Sequence, residues 1–280
     1  IVINGMTLEE TTNLTDIFIK SGEVYDLSCL DEIIVDKHST GGIGDSTTLV
    51  VGPIVASCGV KMAKISGRGL GITGGTIDKL ESIPKFNVKL TKKEFINAIK
   101  NVGFVDCSQN RNLVPLDKII YNLRNNSGTT ESLPLITSSI MSKKIASGAD
   151  IILIDIKVGK GALIKTKKDA NTISTWMKAI GKRYNKKVVT IISDMNIPLS
   201  NSIGNALEVK EAMDVLQSKE IYGNLVELSY DLATDMVSMG KEISQADAKK
   251  LVLESLNKGR AYEKFLELVN EQGGDINKIE

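Results

Sequence analysis

Two glycine-rich segments combine the residue types that bind a phosphate group. The first runs from Lys37 to Thr48 (KHSTGGIGDSTT) and the second from Ser66 to Thr76 (SGRGLGITGGT). A glycine-rich turn that leads into a helix directs several backbone N–H groups toward one point, where the positive end of the helix dipole also attracts an anion. Side chains in or beside the two segments add hydroxyl donors and positive charge: Ser39, Ser46, Thr47, Thr48, Ser66, Thr76, Lys37 and Lys64. The GxxxxGK[ST] spacing of a Walker loop is absent.

His38 is the only histidine in the sequence, and it stands between Lys37 and Ser39. An imidazole at the mouth of an anion site can donate a hydrogen bond to a developing negative charge, or shuttle a proton near neutral pH. The alternative is a structural histidine with its ring hydrogen-bonded in the interior. The neighbouring residues favour the functional role.

A third set of polar residues lies on two consecutive predicted helices. Ser139 and Lys143 are spaced i and i+4, and Tyr121 and Arg124 are spaced i and i+3, so each pair shares one helix face. If the two faces meet across a cleft, they offer a guanidinium, an ammonium and two hydroxyls to a planar, carbonyl-rich ligand, and can stabilise it once it becomes anionic. The alternative is a surface face that only forms ion pairs.

Alternating helix and strand patterns must position these residues. Thr7 and Glu10 form a predicted capping box at the start of the first helix. The continuous apolar run in ADIILIDIK (149–157) is typical of a central strand of a parallel sheet. Further strands are predicted at 31–36, 61–66, 103–107 and 187–193. Helices are predicted within 44–59, with a kink at Pro53, and at 91–101, 115–126, 132–148 and 167–183. The final eighty residues are predicted to be mostly helical.

This alternation predicts an α/β fold with a mixed, largely parallel sheet flanked by helices. The consecutive helices near 115–147 interrupt the alternation, so we expect a smaller all-helical lobe made of 1–30 and 113–149. The α/β phosphate-binding domain would then comprise 31–112 and 150–280. The active site is expected in the cleft between the two, where ligand sites are common.

Composition narrows the class of protein. The 35 basic and 34 acidic residues give a net charge near +1, which provides no electrostatic surface for nucleic acid or an anionic membrane. The three cysteines, Cys29, Cys58 and Cys107, are widely spaced and are expected to be reduced thiols in a cytoplasmic protein. No run approaches eighteen apolar residues. Because the sequence begins without methionine, we expect N-terminal sequence to be missing.

These segments together resemble the pyrimidine-nucleoside and thymidine phosphorylases. SGRGLGITGGTIDKLE, from Ser66 to Glu81, looks like the signature of that family. Four more blocks resemble family segments in the same order: DKHSTGGIGD, YNLR, SIMSKK and IGNALEVKEA. The resemblance extends from near residue 4 to near residue 275.

The resemblance implies a pentosyltransferase of pyrimidine salvage. Such enzymes split thymidine, deoxyuridine or uridine reversibly with inorganic phosphate, giving the free base and (deoxy)ribose 1-phosphate, and require no cofactor. The implied phosphate ligands are Lys37, Ser39, Thr48, Lys64, Ser66 and Thr76. The implied nucleoside ligands are Tyr121, Arg124, Ile136, Ser139 and Lys143. Catalysis is expected from His38, Arg124 and Lys143, with a protonated His38 attracting the departing base.

Further features follow from the resemblance alone. A monovalent cation is expected at Gly44, Ser46, Leu199, Ser202 and Glu211. The two lobes are expected to close on nucleoside and phosphate, and the full-length protein to be a homodimer. Relative to the family, about 40 N-terminal residues and a C-terminal domain of about 100 residues are absent from this sequence.

Some residues depart from the family pattern. Ile72 stands where the family usually has histidine, which removes a loop hydrogen bond associated with closure. Asn125 replaces an acidic residue after Arg124, which removes a potential anchor for that arginine. The loop of Gln109, Leu113, Pro115 and Asp117 matches its family counterpart only loosely.

Two alternatives stay open. An enzyme resembling anthranilate phosphoribosyltransferase shares the expected fold and a glycine-rich first loop, but it needs an acidic pair for magnesium and pyrophosphate, which we do not find in the right context. A binding or regulatory relative would bind phosphate or pyrimidine without turnover.

Overall fold

A parallel sheet forms the centre of the computed structural model, which describes residues 1–69, 74–219 and 222–279. Its strands are β1 Ile34–Ser39, β2 Lys61–Ser66, β3 Phe104–Ser108, β4 Ile151–Val158 and β5 Lys187–Asp194. Their order is β3-β2-β1-β4-β5, and all four pairings are parallel. Outside these strands, Gly42 and Ala162 form an isolated antiparallel bridge. The predicted α/β fold is confirmed.

Helices flank the sheet and match the sequence pattern closely. They are α1 Leu8–Lys20, α2 Thr47–Ser57, α3 Thr76–Leu80, α4 Lys92–Val102, α5 Pro115–Ser127, α6 Leu133–Ala146, α7 Lys167–Arg183, α8 Asn205–Leu216, α9 Asn224–Lys241, α10 Gln245–Asn257 and α11 Arg260–Glu271. The short helix α3 was not predicted. Among the helices of the described ranges, none has the length and apolarity needed to cross a lipid bilayer.

Local sequence sets the ends of several helices. The Thr7 backbone N–H donates to the Glu10 carboxylate over 2.8 Å, and the Thr7 hydroxyl accepts from the Glu10 N–H over 3.2 Å. The predicted capping box of α1 is therefore confirmed. Gly103 ends α4 with φ of +85°, a conformation that suits glycine.

Alternate residues of the strands enter two hydrophobic cores, one on each face of the sheet. Leu153 of β4 packs in the core that contains α2 and α8 to α11, whereas Ile152 and Ile154 pack in the core that contains α1, α6 and α7. Residues of α1 and α6 thus share a core with one face of the sheet. The predicted division into a helical lobe and an α/β domain stays a prediction.

Parallel register brings the carboxyl ends of the strands to one edge. Ser66 at the end of β2 lies opposite Ser108 of β3, and Ser39 at the end of β1 lies opposite Asp155 of β4. Both glycine-rich segments begin at this edge, as the sequence pattern predicted. Ile72 lies outside the described residues.

Candidate active site

A cavity of about 950 Å³ lies where the ends of β1, β2 and β3 face α5 and α6. Eleven of the predicted site residues line it: His38, Ser39, Thr48, Lys64, Ser66, Thr76, Tyr121, Arg124, Ile136, Ser139 and Lys143. The predicted phosphate and nucleoside residues therefore come together in one space. Lys37 and the five predicted cation ligands are not among its lining residues in the described part of the chain.

Asp45 organises the first glycine-rich loop. Its carboxylate accepts hydrogen bonds from the Ser39 hydroxyl, from the Thr47 hydroxyl over 2.6 Å and from the Thr47 N–H over 3.2 Å. Burial alone would raise the pKa of the Asp45 carboxyl, but the ammonium groups of Lys157, Lys37 and Lys79 hold that pKa well below its ordinary value. A permanently ionised carboxylate thus fixes both ends of this loop.

Lys37 lies behind the first loop rather than in the cavity. Its side chain is fully buried, and its ammonium donates to the Thr47 hydroxyl. Burial lowers the pKa of Lys37 to about 8, although the nearby carboxylates of Asp45 and Asp155 raise it. Because Lys37 precedes the end of β1 by two residues, its side chain supports the loop from beneath. Its predicted contact with phosphate is not preformed in this structure.

Lys64 and Ser66 of β2 form the part of the cavity best prepared for an anion. They are two residues apart and so lie on the same face of the strand. Lys64 is only 2% exposed, and among the described residues its ammonium has no hydrogen-bond or salt-bridge partner. The buried Ser66 hydroxyl forms no hydrogen bond of good geometry with the described residues, although its interaction with Asp106 lowers the pKa of that carboxyl. Buried polar groups normally have partners, so these two indicate a ligand site.

Asp106 lies directly across from Lys64 in the pairing of β2 with β3. Its side chain is fully buried. Burial raises the pKa of this carboxyl to about 6, against the lowering effect of the Lys64 ammonium. Near neutral pH this carboxyl is therefore mostly ionised, but it takes up a proton at a higher pH than an ordinary aspartate does.

The second loop needs glycine at its end. A Cβ atom on Gly75 would lie 2.1 Å from the backbone nitrogen of Gly69 and 2.4 Å from the carbonyl carbon of Arg68. No side chain fits at that distance. The same part of the loop is held by the Gly69 N–H, which donates to the Asp78 carboxylate over 2.8 Å.

Lys143 anchors the opposite side of the cavity. Its ammonium donates to Asp117 over 2.5 Å and to the Ser139 hydroxyl over 2.7 Å. It also lies 5.3 Å from the centre of the Tyr121 ring, within the range of a cation–π interaction. Ser139 and Lys143 therefore share a helix face, as predicted, and are joined by a direct hydrogen bond.

Arg124 joins this cluster from α5. One terminal nitrogen donates to the Thr130 carbonyl over 2.6 Å, while the buried Nε has no hydrogen-bond partner in the described ranges. Its guanidinium carbon lies 5.7 Å from the centre of the Tyr121 ring. Burial lowers the pKa of Arg124, although a guanidinium remains charged in proteins. Burial raises the pKa of Tyr121 to about 12, so the phenol is neutral at pH 7.

His38 is neutral in this environment. Burial and the positive charges of Lys144, Lys64, Lys143 and Lys37 place the pKa of its imidazole well below 6.5. Its Nδ1 atom is buried and finds no hydrogen-bond partner in the part of the chain that the structure describes. Burial and the surrounding lysines oppose the protonated His38 expected from the sequence, whose catalytic role stays a prediction. A neutral imidazole can still donate one N–H.

The predicted cation residues gather beneath the first loop. The Gly44 carbonyl accepts from the Ser200 N–H over 3.1 Å and from the Ser200 hydroxyl over 2.6 Å. The Glu211 carboxylate accepts from the N–H groups of Asn201 and Ser202 over 2.8 and 2.6 Å.

Carbonyl, hydroxyl and carboxylate oxygens suit a hard cation. A cation held by Gly44, Ser46 and Glu211 would have to replace some of these hydrogen bonds. In the described part of the chain, no group of three or more His, Cys, Asp or Glu side chains is arranged to hold a metal ion. The cation site stays a prediction.

Sequence reasoning missed three supporting groups. Asp117 was noted only as part of a loosely matched loop, yet it is the ion-pair partner of Lys143. Lys79 and Glu208 form a buried salt bridge of 2.7 Å below the two glycine loops. These partners come from elements distant in sequence, so no local spacing could have paired them.

Comparison with known proteins agrees with the sequence motifs. Residues 31–262 match the model of the glycosyl transferase family, a/b domain. The pyrimidine-nucleoside phosphorylases of Geobacillus stearothermophilus and Bacillus subtilis are each 48% identical to all of this chain, and that of Staphylococcus aureus is 46% identical. The chain spans 65% of the length of each of these relatives. The resemblance inferred from the sequence motifs is confirmed.

Solved structures with low sequence identity share the fold. Anthranilate phosphoribosyltransferase from Thermus thermophilus superposes with a TM-score of 0.69 at 15% identity, covering 97% of this chain and 87% of that one. The Saccharomyces cerevisiae anthranilate phosphoribosyltransferase gives 0.61 at 11% identity, covering 95% and 80%. At such identities the likeness concerns the fold alone.

Proposed function

The chain belongs to the glycosyl transferase family that this α/β domain defines, and from that premise we propose that it catalyses the reversible phosphorolysis of pyrimidine nucleosides. Thymidine and deoxyuridine are the proposed substrates, with uridine as a further candidate and inorganic phosphate as co-substrate. The products are the free base and (deoxy)ribose 1-phosphate. We also propose that the protein acts as a homodimer and binds a monovalent cation at the residues named above.

The observation that carries this proposal is the Lys64 ammonium, which is nearly buried, lines the cavity and has no salt-bridge partner among the described residues. An unpaired buried charge is costly unless a ligand compensates it. A phosphate dianion there would also be within the space lined by Ser39, Thr48, Ser66 and Thr76. This set of one ammonium and several hydroxyls matches the chemistry of phosphate.

Charge on the other side of the cavity suits a leaving pyrimidine. Phosphorolysis passes through a sugar with oxocarbenium character and a base that departs with negative charge. Arg124 and Lys143 attract that anion more strongly than the neutral nucleoside, so they lower the barrier rather than merely binding substrate. The neutral His38 imidazole contributes an N–H to a base carbonyl oxygen in place of a full charge.

Phosphate and base occupy opposite ends of one cavity in this scheme. Phosphate held by the strand ends attacks the anomeric carbon as the bond to the base breaks, so the sugar passes directly from base to phosphate. Positioning supplies much of the rate, because two bound reactants behave as one molecule. Lys37 acts indirectly, since its ammonium holds Thr47 behind the first loop.

The direct test measures release of free base. The purified protein is incubated with thymidine or uridine in the presence and absence of inorganic phosphate, and the products are separated by chromatography. We expect base release that requires phosphate and yields a stoichiometric amount of pentose 1-phosphate. Absence of phosphate-dependent release from either nucleoside by the folded protein would contradict the proposal.

A further inference from the structure

We propose that Lys79 is a positioning residue that fixes the two phosphate-binding loops relative to each other, an inference that rests on the proposed function. Lys79 is on α3, which follows the second glycine loop directly. It does not line the cavity in the described part of the chain, so any effect on phosphate must pass through other residues. Its side chain is only 1% exposed.

The Lys79 ammonium joins three parts of the chain. It donates to the backbone carbonyl of Asp45 in the first loop over 2.6 Å and forms a salt bridge of 2.7 Å with Glu208 of α8. Glu208 in turn accepts from the Ser46 hydroxyl over 2.8 Å and from the Gly204 N–H over 3.3 Å. The first loop is therefore held twice, through Asp45 and through Ser46.

The second loop is tied to α3 by contacts of its own. The Ile77 N–H donates to the Gly67 carbonyl over 3.3 Å, and the Gly69 N–H donates to Asp78 over 2.8 Å. Because Lys79 extends from this same short helix, it transmits the position of the second loop to the Asp45 carbonyl.

Asp45 connects this link to the residues that would touch phosphate. The Asp45 carboxylate accepts hydrogen bonds from Ser39 and Thr47, which flank the first loop. A phosphate ion must reach Ser39 and Thr48 on one side and Lys64, Ser66 and Thr76 on the other. Loss of the Lys79 link would leave the Asp45 carbonyl and the Glu208 carboxylate buried without their cation, and the loops would separate. Displacements of about 1 Å can reduce activity about 100-fold.

The test removes the link without leaving an unpaired buried charge. The double variant Lys79→Met/Glu208→Gln keeps side-chain volume and leaves an acceptor for Ser46. Its matched control is Lys61→Met/Glu32→Gln, which makes the same two replacements in a 2.8 Å salt bridge outside the cavity. Calorimetry measures the dissociation constants for inorganic phosphate and for thymidine, and steady-state kinetics measure KM for both.

We expect the phosphate dissociation constant and KM to rise about 10- to 100-fold in the Lys79 variant. The values for thymidine should change less than about threefold, and the control should resemble the wild type for both ligands. An unchanged phosphate constant would overturn the inference. Equal weakening of phosphate and thymidine would also overturn it, since general damage to the fold would then explain the result.

Two further measurements distinguish a failure of the Lys79 inference from a failure of the proposed function. If the double variant does not fold, Glu208→Gln alone should raise the phosphate constant about 3- to 10-fold, because it weakens only one of the two ammonium contacts; no change would again overturn the inference. A wild-type protein that binds phosphate but releases no base would contradict the proposed function, while the phosphate titrations would still test Lys79.

Discussion

The two ends of the cavity hold their charged groups in different ways. Around the strand end, four buried lysines of the described ranges have protein partners, whereas Lys64 has no hydrogen-bond or salt-bridge partner there. The partnered lysines are Lys37 with Thr47, Lys79 with Glu208, Lys157 with Asp155 and, from α6, Lys144 with Asp36. At the helix end, Lys143 and Arg124 are both engaged with protein groups. The strand end can thus accept an anion as it stands, whereas the helix end must exchange hydrogen bonds for contacts with its ligand.

Replacing Lys64 should have the largest effect, because it removes a buried ammonium that has no salt-bridge partner among the described residues. We expect Lys64→Met to lower kcat/KM for phosphate about 1,000-fold, as expected for loss of a charge-assisted contact in a buried site. Thymidine binding measured by calorimetry should change little. Lys61→Met, at the other end of the same strand, serves as control. Loss of thymidine binding together with phosphate would contradict the separation of the two ends.

Asp106→Asn tests whether the buried carboxyl at the strand end makes the free energy of unfolding depend on pH. The folded-state pKa of Asp106 is raised to about 6. The protonated carboxyl therefore stabilises the fold below the ordinary pKa near 4, and this stabilisation is lost as pH rises through 6. The asparagine side chain does not ionise, so the variant buries no charge at this position at any pH. Relative to wild type, its free energy of unfolding should increase by about 2 kcal/mol between pH 4.5 and pH 7.5.

Urea unfolding at the two pH values measures this difference. Asp150→Asn is a suitable control, because that carboxylate lies outside the cavity and half of its side chain is exposed. A difference between Asp106→Asn and wild type that stays constant with pH would mean that burial does not raise the pKa of Asp106, and would contradict this prediction.

Asp117→Asn should have the smallest effect and probes the helix end. The change weakens the 2.5 Å contact that restrains Lys143 but leaves its hydrogen bond to Ser139. We expect kcat/KM for thymidine to fall about 10-fold through kcat, while KM for phosphate stays near the wild-type value. A larger rise in the phosphate KM than in the thymidine KM would show that the two ends are coupled more tightly than their separate contacts imply.

Much of the fold follows from local sequence. The Thr7–Glu10 capping box, the apolar run of β4 and the alternation of helix and strand patterns predict the order and type of nearly all elements. The helix α3 was missed because five residues after a glycine-rich loop carry too little periodicity to predict a helix. Parallel pairing then follows from the helical connections between strands.

The sequence predicted the position of most candidate site residues but not the role of each. Residues at strand ends and on shared helix faces could be placed in one cavity, since register and helix periodicity determine where they lie. Lys37 and Lys64 look equivalent in the sequence, yet one supports a loop and the other faces the cavity. Their difference depends on which partners tertiary packing brings near, as does the neutral state of His38.

The parallel register also implies that insertions and deletions are tolerated at some positions of the chain and not at others. Adding or deleting one residue within β2 would reverse the facing of Lys64 and Ser66, because successive strand residues point to opposite sides of the sheet. Inserted residues near Gly59, before β2 begins, would leave that alternation intact. Homologues that differ in length should therefore carry their insertions at the amino ends of the strands, away from the cavity.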